Sequence, residues 1–407
     1  MPAILQKAGM LERFYTDLCG NVGLGRSLLR GKHLPFVGAR LAPLGARQVP
    51  KEIIAKTYTF ESAAAQASFF DLFGSKDPER RFRRRIKMAA IHARAMIRQG
   101  FGNATHIYSM FREGGDFQRE AHHRGLTVIS ESYLPVSAER WIAAERQAFP
   151  DWEPGVPDWN VLRRRFLDED VLMTRTHFYM CPSEFVRDDL VKHWGVPREC
   201  TMMVPYGMNP HWLTLKPKPQ HGRLLFAGTA ELRKGIHYLA MAAERLFSRG
   251  LKCEFRVAGN VTDHVRRQRL CEHLNFLGRV PRVKMASEFE AADVLVLPSL
   301  AEGSAEVTYE ALACGLPVIT TRAAGSVVRD GIEGRIVSER DPEALAAAIQ
   351  ELVEDRQKRD LMAYAARDRA REYTWERYGE RLIEALESLP SRCATLQKGS
   401  ATEPNAA

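Results

Sequence analysis

The sequence predicts an α/β chain of two Rossmann-like domains, each built on a doubly wound parallel sheet. Three observations carry that expectation. In the second half, short apolar runs alternate with amphipathic helical patterns, as in a sheet covered by helices on both faces. The first half repeats the alternation more faintly. Between them, residues 214–222 (TLKPKPQHG) replace the apolar pattern with Pro, Lys and Gly and read as a linker.

In the first half, strands are expected at His106–Met110 and Thr127–Glu131 and at residues 178–182 and 202–205, with 150–157 (PDWEPGVP) as a loop. In the second half, residues 223–229 (RLLFAGT) form an apolar run ending near Gly228. A helix over 234–249 follows, with Ile236, Leu239, Ala240, Ala243 and Leu246 on one stripe. Further strands are expected at 253–259, 274–277, Val294–Leu297 and 317–320, separated by helices at 265–273, 283–292 and 306–314. Asp341 as N-cap and Pro342 in the first turn open a helix expected to run to residue 371. The expected domains are 1–214 and 223–372, joined by 215–222. A C-terminal helix near 375–389, within 373–390, is expected to cross back to the first domain. Residues 391–407, small and polar, are expected to be disordered.

The chain's 407 residues suit two to three domains at about 150 residues each. With 45% hydrophobic and 27% charged residues, wholesale disorder is excluded. No apolar stretch approaches the length of a spanning helix, and Glu12, Arg13 and Asp17 interrupt any secretory signal. Seven cysteines, scattered and never in C-x-x-C spacing, predict a reduced cytoplasmic protein without a zinc cage. The net charge of +9 favours anionic partners. It is concentrated from Arg80 to Lys87 (RRFRRRIK) and at Arg163, Arg164 and Arg165. Such runs are commonly solvated helix faces. No recognition helix, zinc-finger spacing or aromatic RNA-binding strand accompanies them, so nucleic acid is not an expected partner.

The chemistry concentrates in residues 298–319 (PSLAEGSAEVTYEALACGLPVI). A strand ends at Leu297, a turn with Pro298, Ser299 and Gly303 follows, and a helix is expected to begin near Ala305. Ligands of parallel sheets bind outside the carboxyl ends of strands, where helix N-termini present unpaired N–H groups. Glu302 lies in that turn, with Glu310 eight positions on in the helix. Two glutamates so spaced mean little alone, but the strand before them and Cys314-Gly315-Leu316-Pro317 after them give the pattern weight. Arg233 and Lys234 open another helix, where cations oppose the macrodipole unless an anion is bound there.

This segment resembles the E-x7-E region of the large retaining GT-B-fold glycosyltransferase family, the family 4-like group 1 enzymes. Residues 226–235 (FAGTAELRKG), 276–280 (FLGRV), 292–299 (ADVLVLPS), 181–185 (CPSEF) and 204–209 (VPYGMN) match other family landmarks in order. The likeness is good over 178–337 and poor over the first 100 residues. It implies two Rossmann-like domains facing a cleft. It also implies transfer of a sugar from a UDP-, GDP- or ADP-sugar to an acceptor hydroxyl, on a glycan or lipid-linked acceptor, with retained configuration. The setting would be bacterial polysaccharide, lipopolysaccharide or glycolipid synthesis, with no cofactor and no catalytic base.

Carried over residue by residue, the resemblance implies that Glu310 accepts ribose hydroxyls, Glu302 faces the donor sugar, and amides around Gly303, Ser304 and Ala305 meet the diphosphate. Lys234 and Arg233 neutralise the departing nucleotide. Gly228 and Thr229 close the strand beside the phosphates, and Gly278, Arg279 and Val280 lie beside the base. Ser109, Arg112 and Glu131 occupy the acceptor-side strand ends. Three positions depart from the usual pattern: Thr229 for Arg, the run Glu302-Gly303-Ser304-Ala305-Glu306 for E-G-F-G-L, and Asn209 for Asp. They bear on which sugar is held rather than on the reaction class.

Because lipid-linked acceptors are common in the family, the run from Arg80 to Lys87 is read as a contact for an anionic membrane surface, on the cytoplasmic side of the plasma membrane. Asp168-Glu169-Asp170 formally matches the D-x-D metal signature of another glycosyltransferase fold. Within a helix Asp168 and Asp170 point about 200° apart, so no metal site is expected. Two other classes share the nucleotide site: a GT-B-fold sugar-nucleotide epimerase, for which no acid–base pair is evident, and a non-catalytic nucleotide-sugar-binding subunit.

Overall fold

The computed structural model describes residues 1–30, 44–45, 47–63, 77–111, 115–159, 161–162, 173 and 175–390. Arg112, the Arg163–Arg165 run, the D-x-D sequence at 168–170 and the tail from 391 lie outside those residues. The described residues form two compact units, one drawn from 1–131, 157–179 and 386–390, the other from 132–156 and 180–385.

The first unit contains two parallel strand pairs. β1 (Phe14–Thr16) pairs with β2 (Thr57–Thr59), and β3 (His106–Met110) pairs with β4 (Thr127–Glu131), with Ser109 opposite Ser130 and Met110 opposite Glu131. β1 and β2 are three residues each, too short for a period-two pattern to stand out in the sequence. Helix α1 (Pro78–Gln99) is capped by Asp77, whose carboxylate accepts from the Arg80 amide. Ala93 of this helix, Phe101 just beyond its end, and Phe117 and Ala121 of α2 (Gly115–His123) cover the β3–β4 pair, and the Phe101 and Phe117 rings stack at 4.7 Å.

Strand β5 (Phe178–Cys181) carries the chain from one unit into the other. In the second unit its end accepts from the Ser132 amide at Met180 and the Val204 amide at Cys181, just beyond β6 (Thr201–Met203). Helices α3 (Ala138–Ala148) and α4 (Glu184–Trp194) belong to this unit.

The main body of the second unit is an all-parallel sheet. It comprises β7 (Arg223–Ala227), β8 (Glu254–Ala258), β9 (Leu274–Gly278), β10 (Val294–Leu297), β11 (Val318–Thr321) and β12 (Gly334–Val337), in the order β12-β11-β10-β7-β8-β9. Its strands alternate between two apolar clusters. Leu224, Phe226, Val257, Val294 and Val296 enter one with α5 (Ile236–Ser248). Leu225, Ala227 and Leu295 enter the other with Phe289 of α6 (Arg282–Ala291) and Tyr309 and Leu312 of α7 (Glu306–Ala313). That alternation is the double winding expected of a parallel sheet buried on both faces.

Several expectations need correction. The single helix expected from Pro342 is two, α8 (Pro342–Glu354) and α9 (Arg356–Ala370). Asp355 breaks it by capping the second helix at the Lys358 amide, which directs Arg356 and Arg359 onto the fully buried Asp293. The helix expected at 265–273 is one turn (Asp263–Arg266) capped by Thr262, then a 3-10 turn (Arg269–Cys271). The helix expected from 234 starts at Ile236, because Gly235 adopts a left-handed conformation between it and a 3-10 turn (Leu232–Lys234).

Residues 215–222 lie inside the second unit. The Lys218 and Gln220 amides donate to the Glu290 and Ala291 carbonyls, strapping this stretch to the end of α6. Helix α10 (Trp375–Glu387) follows backbone bonds between Met208 and residues 373 and 375, and Arg381 donates to the Pro205 and Tyr206 carbonyls. Cys19, Cys181, Cys253, Cys271 and Cys314 are free thiols.

Gly235 (φ 71°) is required twice over, because a Cβ there would also lie 1.9 Å from the Pro298 carbonyl oxygen. Gly250 (φ 79°) has open space around its missing Cβ. Gly250→Ala should therefore cost only left-handed strain, about 1–2 kcal/mol. Gly235→Ala should cost at least about twice as much, read from urea unfolding midpoints; equal costs would contradict the close approach.

Candidate active site

The strand order reverses direction between β7 and β10. After β7 the chain moves to β8 on one side, and after β10 to β11 on the other, leaving the crevice at a topological switch point. The loops that follow these two strands carry the residues singled out by sequence. Gly228 ends β7 and donates its amide to Ala258, and the Lys234 side chain lies against it. Thr229 leads into the 3-10 turn bearing Arg233 and Lys234. The two loops are joined directly, since the Leu300 amide donates to the Arg233 carbonyl at 2.8 Å.

Glu302 sits between the cations. Its Oε1 accepts from Lys234 Nζ at 2.6 Å and its Oε2 pairs with Arg233 Nη1 at 2.7 Å. Arg233 Nη2 also pairs with Glu231 at 2.6 Å, and Nη1 reaches the Ala301 carbonyl at 3.2 Å. The Glu302 and Lys234 side chains are only 11% and 14% exposed, so water screens this pair weakly. Burial alone would lower the Arg233 pKa; Glu302 and Glu231 outweigh it and hold it above its ordinary value.

The loop behind Glu302 is anchored at successive positions. The Glu302 amide donates to the Ala323 carbonyl at 2.8 Å and the Ala305 amide to the Ala324 carbonyl at 2.9 Å. Ser304 Oγ donates to the Gly325 carbonyl at 2.8 Å and shares a 2.6 Å hydrogen bond with the Tyr309 hydroxyl. The Gly303 carbonyl accepts from the Ser183 hydroxyl. A Cβ at Gly303 would lie 1.8 Å from the Tyr133 carbonyl oxygen, so only glycine fits there. The helix starts at Glu306, and the Ala305 amide, expected to face a diphosphate, is already committed to Ala324.

Glu310, one turn into α7, is 15% exposed and pairs with Arg282 Nη2 at 3.2 Å. Burial, helped by Glu306, pushes its pKa up to about 7 against the opposing pull of Arg282 and a hydrogen bond from Trp212. Gly278 ends β9 and Arg279 is exposed, whereas Val280 packs into the apolar cluster that includes Tyr309.

Sequence reasoning missed the frame that holds the cation turn. Glu153 accepts from the Leu232 amide at 2.9 Å. Glu145 accepts from His237 Nε2 at 2.8 Å, the Tyr238 hydroxyl at 2.6 Å and Arg340 Nε at 2.8 Å. Burial opposes ionisation of Glu145, but these donors hold its pKa down to about 2. Nothing in the local pattern pairs residues 145 and 237. Arg282 and Glu231 were equally unmarked.

Of the acceptor-side candidates, Ser109 and Glu131 lie in the first unit, and Arg112 lies outside the described residues. Ser109 Oγ accepts from Gln118 at 2.6 Å, and the buried Glu131 accepts from the Tyr108 hydroxyl at 2.7 Å. Both sit at the ends of the β3–β4 pair, with polar partners of their own. Among the described residues, no group of three or more His, Cys, Asp and Glu side chains could hold a metal ion.

The Glu310 shift has a pH signature. Its folded pKa is raised, so between about 4.5 and 7 the folded state binds more protons than the unfolded one, and stability falls as pH rises. The component is on the order of 3 kcal/mol. Glu310→Gln should therefore gain stability relative to the parent as pH rises from 5 to 8, in urea titrations. A difference independent of pH would contradict the burial of a titrating carboxyl.

Residues 221–355 match the family model described as Glycosyl transferases group 1. Among curated relatives, the D-inositol 3-phosphate glycosyltransferase of Corynebacterium urealyticum is 34% identical over 181 residues, 41% of this chain and 43% of that protein. The corresponding protein of Geodermatophilus obscurus is 28% identical over 309 residues, 66% of this chain and 68% of that one. The match thus spans under half of the first relative's length and about two thirds of the second's. Among solved structures, sucrose-phosphate synthase from Thermosynechococcus elongatus superposes with a TM-score of 0.59 at 18% identity, covering 75% of this chain and 78% of that one. Anabaena HepE in complex with UDP gives 0.57 at 16% identity, covering 93% and 100%. Residues 221–355 thus resemble the group 1 glycosyltransferases, and the fold is that of the GT-B glycosyltransferases.

Proposed function

We propose that the protein transfers a sugar from a nucleotide sugar to an acceptor hydroxyl with retention of anomeric configuration. The observation that carries this reading is the pair Arg233 and Lys234, gathered at a parallel-sheet switch point beside Glu302, with Glu310 eight residues on. Two fixed cations suit the charge that grows on a leaving nucleoside diphosphate. Glu310 is the acceptor for the ribose hydroxyls, residues 278–280 border the base, and Glu302 faces the donor sugar. The acceptor hydroxyl attacks on the face from which the phosphate departs, and a phosphate oxygen takes its proton, so the reaction needs no side-chain base.

UDP is the nucleotide to test first, because one solved neighbour, Anabaena HepE, holds UDP and glucose. GDP- and ADP-sugars are the alternatives. A lipid-linked acceptor is in keeping with a relative from Mycolicibacterium smegmatis named phosphatidyl-myo-inositol mannosyltransferase. The phosphate charge is met by Arg233 and Lys234 without a divalent ion, so turnover should survive excess EDTA.

The test is release of nucleoside diphosphate from UDP-, GDP- and ADP-sugars with and without acceptor. Transfer should follow one nucleotide, and Lys234→Ala should lower kcat and kcat/KM equally, because the contact strengthens as the diphosphate leaves. Isomerised donor without acceptor would instead indicate an epimerase. Binding without any turnover would indicate a binding subunit.

We further propose that α1 meets an anionic cytoplasmic membrane surface. Arg80, Arg81, Arg83, Arg85 and Lys87 are exposed along its first turns. Each cation near such a surface contributes about 1 kcal/mol. Among the described residues no helix is long and apolar enough to cross a membrane. Replacing Arg83, Arg84 and Arg85 with Gln should release the protein from phosphatidylserine vesicles in flotation assays. Failure of the parent protein to float with them at moderate salt would refute the contact.

A further inference from the structure

The two cations assigned to the diphosphate are already neutralised. Arg233 and Lys234 face Glu231 and Glu302, two positive charges against two negative ones. The two carboxylates are not equivalent. Of the two cations Glu231 pairs with Arg233, and both of those side chains are 29% exposed. Glu302 places one oxygen on each cation, at 2.6 and 2.7 Å, and is 11% exposed. It is a planar anion bridging Lys234 and Arg233, the arrangement a phosphate group would adopt. A diphosphate cannot use both cations fully while that carboxylate holds them.

Resting on the nucleotide-sugar reading above, we propose that Glu302 is an exchangeable anion. It occupies the diphosphate's place on Lys234 and Arg233, leaves them when the nucleotide binds, and returns to expel the product nucleoside diphosphate. The backbone permits this exchange. The Glu302 amide is fixed to Ala323 and Gly303 is wedged against Tyr133, so only the side chain has to move. Once displaced, the carboxylate is available to hydroxyls of the donor sugar. The rate of product release is then set by competition between two anions for one pair of cations.

The test is calorimetric titration of the full chain with inorganic pyrophosphate, UDP and GDP. Glu302→Gln keeps the side chain's size and removes its charge, and Glu302→Ala repeats the measurement without an amide. Either folded variant should bind pyrophosphate and the preferred nucleotide at least tenfold more tightly than the parent, and adding Lys234→Ala should abolish the gain. Unchanged or weaker binding in a folded variant overturns the exchange. Pyrophosphate lacks base and ribose, so the two readings separate. A gain for pyrophosphate with no binding of UDP or GDP upholds the exchange on the cations and overturns the nucleotide assignment. Nucleotide binding that ignores the Glu302 substitution does the reverse.

Discussion

A buried carboxylate shared by two cations is the constraint around which the second unit is organised. Removing Glu302 would leave Lys234, only 14% exposed, without the carboxylate that pairs with it, which is costly. The three residues come from two loops that are adjacent only because β7 and β10 are neighbours in the sheet. The 2.8 Å bond from the Leu300 amide to the Arg233 carbonyl fixes the spacing of those loops, and the ion group fills the space between their side chains.

The rest of the unit keeps those loops from relaxing. On the β7 side, Glu153 and Glu145 hold the turn before and after Lys234, the second through the fully buried His237. Burial lowers the His237 pKa against the opposing pull of Glu145, whose carboxylate accepts from its Nε2. On the β10 side, the Ala323, Ala324 and Gly325 carbonyls take successive donors from residues 302–305. With both loops held in this way the backbone stays fixed when an anion arrives, and only the Glu302 side chain has to move.

The sequence displayed this frame unevenly. β10 and α7 were legible because Val294–Leu297 is a continuous apolar run and the segment after it combines a glycine turn with two spaced glutamates. β3 and β4 were read to the residue, since His106–Met110 and Thr127–Glu131 are bounded by polar and turn residues. β1 and β2 were missed, each being three residues and paired across about forty residues of chain. The break at Asp355 was hidden because α8 and α9 are individually good helices, and only the buried Asp293 shows why the chain turns there. Glu145 and His237 are separated by 92 residues, and no local period connects them. The ion group itself lay half in view: Lys234 and Glu302 were each named, but their contact arises from strand order, which a list of strands does not contain.

The central claim is that Lys234 and Arg233 hold the donor diphosphate at this switch point. A crystal structure of the full chain with bound UDP tests it most directly. The account predicts phosphate oxygens within about 3 Å of Lys234 Nζ and Arg233, Glu302 withdrawn from both, and the ribose hydroxyls on Glu310. UDP bound elsewhere, or bound here with the 2.6 Å Lys234–Glu302 contact unbroken, would contradict it.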